Sequence, residues 1–152
     1  MRLTRRAIRV ALDHAHLPAE AEVSVAFVSD AEMRALNARH RGIDRVTDVL
    51  SFGASLPRGV RGAAVAEHLK RDLDGSVELG DIVIAPEQAR RQARRHGWTL
   101  RDEIAFLGTH GALHLIGYED DTQAGYREMR RRGEQALAEA RRIRRKSTRA
   151  AS

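Results

Sequence analysis

One segment of this 152-residue chain combines residue types suited to holding a metal ion. His110 and His114 are four positions apart, so on a helix they share one face. Gly117 permits a tight turn at the end of that helix, because glycine adopts positive φ without steric cost. The turn can return the carboxylate of Asp120 to the two imidazoles. Two histidines and a carboxylate, with a fourth position open for water, are typical of a catalytic rather than a structural zinc site.

The third ligand is less certain from the sequence than the two histidines. Glu119, Asp120 and Asp121 are adjacent acidic residues, and the spacing favours Asp120 without excluding its neighbours. A histidine pair alone is more often a surface or packing feature. The added glycine and carboxylate make the pattern much more specific. A metal held here would lower the pKa of a bound water and polarise a scissile ester or amide.

The histidine spacing also matches the motif of metzincin peptidases, H-E-x-x-H-x-x-G-x-x-H. In those enzymes the second position is a glutamate that acts as general base. Here that position is Gly111, so the base is missing. A zinc metallopeptidase is therefore an alternative rather than the preferred interpretation.

The elements around the motif predict an α+β fold. Apolar periodicity and turn residues indicate a small mixed β-sheet of three or four strands packed with about five helices, and the metal site lies at the end of a helix and in the following turn. The predicted strands are residues 22–28, 47–52 and 79–84. The predicted helices are residues 4–16, a segment capped by Ser29 or Asp30 and ending at 41–42, a possible short one within 63–71, then 86–96, 100–115 and one from about 122 into the C-terminal tail.

Charge divides the chain into two parts. The net charge is +6, but residues 127–149 hold ten basic and three acidic groups, so residues 1–126 carry −1. We therefore expect a single domain at 1–140 and a basic, flexible tail at 141–152. The tail can contact RNA phosphates, although a solvated helix end explains its composition equally well.

Composition also excludes several classes of protein. The chain has no cysteine, which removes disulfide frameworks, thiolate metal sites and cysteine nucleophiles. No uninterrupted apolar run exceeds four residues, so we expect no membrane span, no signal peptide and no membrane partner. A cytoplasmic location is the default expectation, and no nucleotide cofactor is expected.

Three blocks of sequence resemble the YbeY family of bacterial rRNA maturation factors and endoribonucleases. The family signature H-G-x-L-H-L-x-G-Y-D-H is matched by His-Gly-Ala-Leu-His-Leu-Ile-Gly-Tyr-Glu-Asp at 110–120. A second block lies between Leu36 and Phe52, and a third at 79–84. The blocks follow the family's order across about residues 22–130, and together they are highly specific.

The resemblance implies a zinc-dependent single-strand endoribonuclease. Members act in maturing the 3′ end of small-subunit rRNA and in ribosome quality control. The resemblance makes His110 and His114 ligands of one zinc ion, and it places a functional arginine at Arg41, near the metal. Arg41 could hold the scissile phosphate. The implied partners are rRNA, the small ribosomal subunit and ribosome-assembly proteins.

Two departures from the family pattern affect these expectations. The third histidine of the signature is Asp120 here, which is still a competent zinc ligand. Most members also begin with a strand before the first helix, whereas this chain starts almost directly in helix. The sheet is then expected to have one strand fewer and an exposed edge.

A further alternative is a non-catalytic ribosome-assembly factor in which a bound zinc ion has a structural role.

Overall fold

The computed structural model describes the backbone of residues 1–150 and the side chains of residues 1–143. Within the described residues, six helices and three strands follow one another along the chain. In order they are α1 (Arg2–His14), β1 (Ala21–Phe27), α2 (Asp30–Arg41), β2 (Val49–Gly53), α3 (Ala64–Glu67), β3 (Val77–Ile84), α4 (Pro86–His96), α5 (Leu100–Leu115) and α6 (Gln123–Ala150). Much of the predicted tail at 141–152 lies outside the described side chains, so its flexibility and the domain boundary stay predictions.

The three strands form one mixed sheet in the order β1-β3-β2. β3 is the central strand, parallel to β1 and antiparallel to β2. The prediction of an α+β fold with a small mixed sheet is confirmed. Some boundaries move: α1 begins at Arg2, and β3 begins at Val77. Within the described part of the chain, β1 and β2 pair with no further strand of this sheet.

The central strand is buried on both faces. Ile82 and Ile84 face the larger core, which contains residues of α1 and α5. Val83 faces the opposite way, into a smaller core with Met33 of α2 and Leu50 of β2. Because successive side chains of a strand alternate, β3 contributes to a hydrophobic layer on each side of the sheet. α5 therefore packs on one face of the sheet and α2 on the other.

Helix caps set where the helices nearest the site begin. The Ser29 hydroxyl accepts a hydrogen bond from the backbone N–H of Glu32, so the predicted cap of α2 is confirmed. Thr99 caps α5 in the same way, since its hydroxyl accepts a hydrogen bond from the backbone N–H of Asp102. None of the helices in the described residues has a stretch long and apolar enough to cross a membrane.

Candidate metal centre and its cleft

The structure brings the three sequence-predicted ligands together. His110 and His114 lie on one face of α5, and Asp120 follows the turn that ends the helix. One ligand atom from each residue lies within 4.8 Å of the other two. Asp120 Oδ2 is 3.1 Å from His110 Nε2 and 3.5 Å from His114 Nε2. Two imidazole nitrogens and one carboxylate oxygen, converging on one point, suit a transition metal such as zinc.

The two neighbouring acids lie outside the group of three side chains that could hold an ion. Glu119 and Asp121 line an adjacent cavity of about 630 Å³. Within the described residues, the group of side chains able to hold one ion contains Asp120 and neither of these acids. The geometry therefore favours Asp120 as the third donor.

The turn after α5 is a Schellman motif centred on glycine. The Tyr118 N–H donates to the Leu113 carbonyl, and the Gly117 N–H donates to the His114 carbonyl, both at 3.0 Å. Gly117 has φ +91°, and a Cβ there would lie 2.3 Å from the Val60 carbonyl oxygen. Both the backbone conformation and the close approach therefore require glycine. The turn can thus carry Asp120 back to the histidines.

The same turn orients one of the imidazoles. His114 Nδ1 lies 3.0 Å from the Tyr118 carbonyl oxygen. Because a carbonyl only accepts, Nδ1 donates and Nε2 keeps its lone pair for a metal. The Tyr118 ring is buried, with the guanidinium groups of Arg61 and Arg132 at 4.9 and 4.8 Å from its centre. These contacts stabilise the turn that orients His114.

Gly111 allows α5 to approach the sheet closely. A Cβ on Gly111 would lie 2.8 Å from Ile82 Cγ2 and 3.0 Å from Ser51 Oγ. The Ser51 hydroxyl donates to the Gly111 carbonyl at 2.9 Å, which joins α5 to β2. The position that carries the glutamate of a metzincin is therefore packed against the sheet and has no room for a side chain. This contact counts against the peptidase alternative.

Electrostatics in the site favour a neutral His110. Burial lowers the pKa of the His110 imidazole below its usual value, and the nearby His114 adds to the lowering. The carboxylates of Asp120 and Asp48 oppose that shift in pKa. A neutral imidazole has a lone pair available, so the His110 ring is in the form that a metal requires.

The ligands line a cleft of about 760 Å³. Arg41, the last residue of α2, lies on the same cleft, as the family resemblance implies. Its side chain is exposed, and within residues 1–143 it forms no ion pair or side-chain hydrogen bond. The guanidinium is thus available to an anion that enters the cleft.

The loop after Arg41 is tied back to α2 by two side chains. Asn37 is buried, and its amide donates to the Arg45 carbonyl at 2.9 Å. The Arg34 guanidinium donates to both oxygens of Asp44, at 2.8 and 3.1 Å. This bond lowers the pKa of the Asp44 carboxyl from its usual range. The two contacts determine how the chain leaves Arg41 toward β2.

Some residues of the cleft carried no sequence signal that we used. They include His96, Glu103, Tyr126 and Arg130. Glu103 is seven positions before His110, a spacing that puts the two on one side of α5. That spacing was readable in the sequence. The packing of α4 and α6 beside it was not.

Comparisons with known proteins bear on the family and the fold of this chain. The family described as Endoribonuclease YbeY matches residues 1–141. An endoribonuclease YbeY of Moorella thermoacetica is 46% identical over 119 residues, covering 78% of this chain and 72% of that protein. One from Desulforamulus reducens is 38% identical over 137 residues, covering 90% and 84%.

A solved structure supports the fold independently. The solution structure of a protein from Thermotoga maritima superposes with a TM-score of 0.53 at 24% identity, covering 92% of this chain and 83% of that one. At that identity the likeness concerns the fold alone. The family match and the two relatives supply the rest, and the chain belongs to the endoribonuclease YbeY family.

Proposed function

We propose that this protein is a zinc-dependent, single-strand-specific endoribonuclease. Its substrate is the small-subunit rRNA, which it cleaves in 3′-end maturation and ribosome quality control in the cytoplasm. It works beside ribosome-assembly proteins on the small subunit. His110, His114 and Asp120 hold one zinc ion, and Arg41 is the catalytic arginine.

One observation carries the proposal: a group of three candidate ligands and an exposed arginine share one cleft in a chain of this family. The three ligand atoms lie within 4.8 Å of one another, and Arg41 lines the same 760 Å³ cleft. A structural zinc site closes its coordination with four protein ligands. Three ligands on an open cleft favour a catalytic site.

The donor set fits zinc by its chemistry. His114 offers Nε2, because Nδ1 donates to a carbonyl, and His110 is biased toward its neutral form. When bound, zinc would supply an acidified water and a positive charge for a phosphate oxygen. The residues of the chain then have two tasks, holding the ion and placing the RNA.

Arg41 places the RNA. A guanidinium donates two parallel hydrogen bonds to a phosphate, which both orients it and offsets charge on its oxygens. In the transition state of phosphodiester cleavage that negative charge increases, so Arg41 binds the transition state more tightly than the substrate. Whether water or the RNA's own 2′-hydroxyl attacks is decided by the end groups of the products.

Single-strand specificity is consistent with the composition of the cleft. The lining carries cationic side chains such as Arg41, Arg95 and Arg130, with Phe106 and Tyr126 as its aromatic rings. Phosphate contacts dominate such a surface, so affinity should fall as salt rises. A single strand is flexible enough to bring its phosphates to these cations.

The test compares cleavage of a single-stranded and a duplex RNA by metal-free and zinc-loaded protein. We expect cleavage of the single strand only, lost on chelation and regained with zinc. His110→Ala should abolish cleavage while the protein stays folded, and His68→Ala, at an exposed histidine outside the cleft, should keep it. Unchanged rRNA maturation in cells carrying His110→Ala would contradict the proposal and favour a non-catalytic assembly factor.

A further inference from the structure

The cleft wall contains a buried carboxylate, that of Glu103, which is neither a proposed metal ligand nor a partner of Arg41. The side chain of Glu103 is only 2% exposed, although the residue lines the cleft. Its Oε2 lies 3.1 Å from His96 Nδ1. Burying a carboxylate is unfavourable unless a donor compensates it. The pair is therefore a built feature of the wall and differs from the exposed ion pairs elsewhere on the surface.

The partner of this carboxylate faces the solvent side of the cleft. The side chain of His96 is 51% exposed, and the residue lines the same cleft as the metal ligands. A carboxylate oxygen accepts, so Nδ1 donates to Glu103 and Nε2 is left for a ligand. His96 is also the last residue of α4, where the helix dipole favours a positive charge.

The pair lies along the cleft from the metal ligands. Glu103 and His110 are both on α5, seven residues and so roughly 10 Å apart along its axis. A series of aromatic rings connects the two positions. The ring centres of His96 and Trp98 are 5.7 Å apart and those of Trp98 and Phe106 are 5.5 Å apart, both edge to face. The rings of Phe106 and His110 are tilted, with their centres 6.4 Å apart. This separation places the pair beside the proposed metal ligands and not among them. It suits a neighbouring phosphate of the same strand.

We propose that His96 contacts an RNA phosphate next to the scissile one, and that Glu103 is its positioning residue. The inference depends on the proposed function and specifies how that site holds its substrate. With both ring nitrogens donating, the imidazolium bridges the buried carboxylate and the phosphate, so its charge is balanced on both sides. The other charged side chains lining this cleft are Arg41, Asp48, Arg95, Asp120 and Arg130.

The test measures binding of a labelled single-stranded RNA to zinc-loaded protein at several salt concentrations. His96→Gln keeps an N–H donor for Glu103, so Glu103 is not left unpaired. We expect the Kd and KM for RNA to rise about 5-fold, kcat to change less, and the salt slope to fall by about one. His68→Gln, at an exposed histidine outside the cleft, should match the wild type.

Two more variants separate a phosphate contact from a structural role. His96→Lys restores a cation and should recover RNA affinity and the salt slope to within about twofold. In the proposed arrangement Glu103 contacts His96 and not the RNA. Glu103→Gln removes the negative charge that faces His96, so it should raise KM for RNA with zinc content unchanged.

Three outcomes would overturn the inference. An unchanged Kd and salt slope in His96→Gln would remove it and leave the proposed function standing, since the wild type still cleaves RNA. A loss of affinity in His96→Gln that His96→Lys does not recover would make the pair structural. A wild-type protein that neither binds nor cleaves RNA would overturn both proposals.

Discussion

The two walls of the cleft are built differently. The wall that carries the proposed metal ligands is held by packing: Gly111 is pressed against Ile82, and the turn at Gly117 touches the backbone of Val60. Behind Arg41, the second wall is tied to α2 by the buried Asn37 amide and by an exposed pair between Arg34 and Asp44. The first wall cannot change shape without disturbing the core. The second can adjust at little expense in stability.

This difference matches the task that we propose for each wall. Three ligands must converge within a few tenths of an ångström, because metal coordination tolerates little displacement. An arginine that receives a flexible RNA strand gains from a long, mobile side chain and needs only to reach the phosphate. Damage to the first wall should therefore appear in stability and metal affinity, and damage to the second in RNA cleavage alone.

Gly117→Ala tests the packed wall most severely. The added Cβ would have to move the Val60 carbonyl, and alanine is strained at φ +91°. We expect the free energy of unfolding to fall by about 3 kcal/mol or more, measured by denaturant titration. Gly75→Ala is the matched control, since Gly75 has φ +86° and open space around its Cβ position. Equal losses in the two variants would show that strain alone matters at the turn.

Arg41→Ala tests the adjustable wall. We expect kcat to fall about 100-fold, because a donor to the developing phosphate charge is removed. Zinc content and unfolding free energy should stay as in the wild type, since the Arg41 side chain is exposed. Arg39→Ala removes an exposed arginine from the same helix outside the cleft and should keep full activity. An Arg41→Ala enzyme with wild-type kcat would remove the catalytic role.

Gly111→Ala asks whether the helix position, and not only the turn, sets the metal site. A Cβ would push α5 away from Ile82 and Ser51. We expect a loss of about 1–2 kcal/mol in unfolding free energy and a weaker zinc affinity by competition with a chelator. Ser51→Ala removes the hydrogen bond to Gly111 without crowding and should affect zinc affinity less. A larger loss of zinc affinity in Ser51→Ala than in Gly111→Ala would show that packing at Gly111 does not set the metal site.

Asp44→Asn should have the smallest effect. It releases the loop after Arg41, so we expect KM for RNA to rise about twofold with kcat retained. The Asp44 pKa is lowered in the folded protein, so its contribution to stability is present above the ordinary carboxyl pKa and is lost as pH falls below it. The difference in Tm between the variant and the wild type should therefore shrink in acid.

An exposed acid elsewhere gives the control for that variant. Asp13 pairs with Arg9 on α1, outside the cleft, so Asp13→Asn should leave KM unchanged. A KM in Asp44→Asn equal to that of the control would show that the Arg34–Asp44 pair does not support the Arg41 wall.

The sequence predicted those parts of the site that depend on local structure. Helical periodicity places His110 beside His114, and the glycine at 117 indicates the turn that returns Asp120. The strands and most helix ends also follow from alternation, caps and breakers. These features are set within a few residues, so the chain reveals them directly.

The parts that depend on tertiary packing were not readable in the same way. Arg41 reaches the cleft because β2, the strand that follows α2 in the chain, packs against α5, and only the family resemblance placed it there. The strand order β1-β3-β2 and the pair of His96 with Glu103 join distant segments, for which a single sequence carries no periodic signal. The tight fit of Gly111 likewise appears only when Ile82 is set beside it.

Zinc titration of the metal-free protein shows most directly whether His110, His114 and Asp120 hold the ion. We expect one ion per chain in the wild type and in Asp120→His, and a large loss of zinc affinity in His114→Ala. Asp121→Asn, beside the proposed ligand but lining the other cavity, should bind zinc as the wild type does. Equal zinc affinity and stoichiometry in the wild type and His114→Ala would show that these residues do not form the metal site.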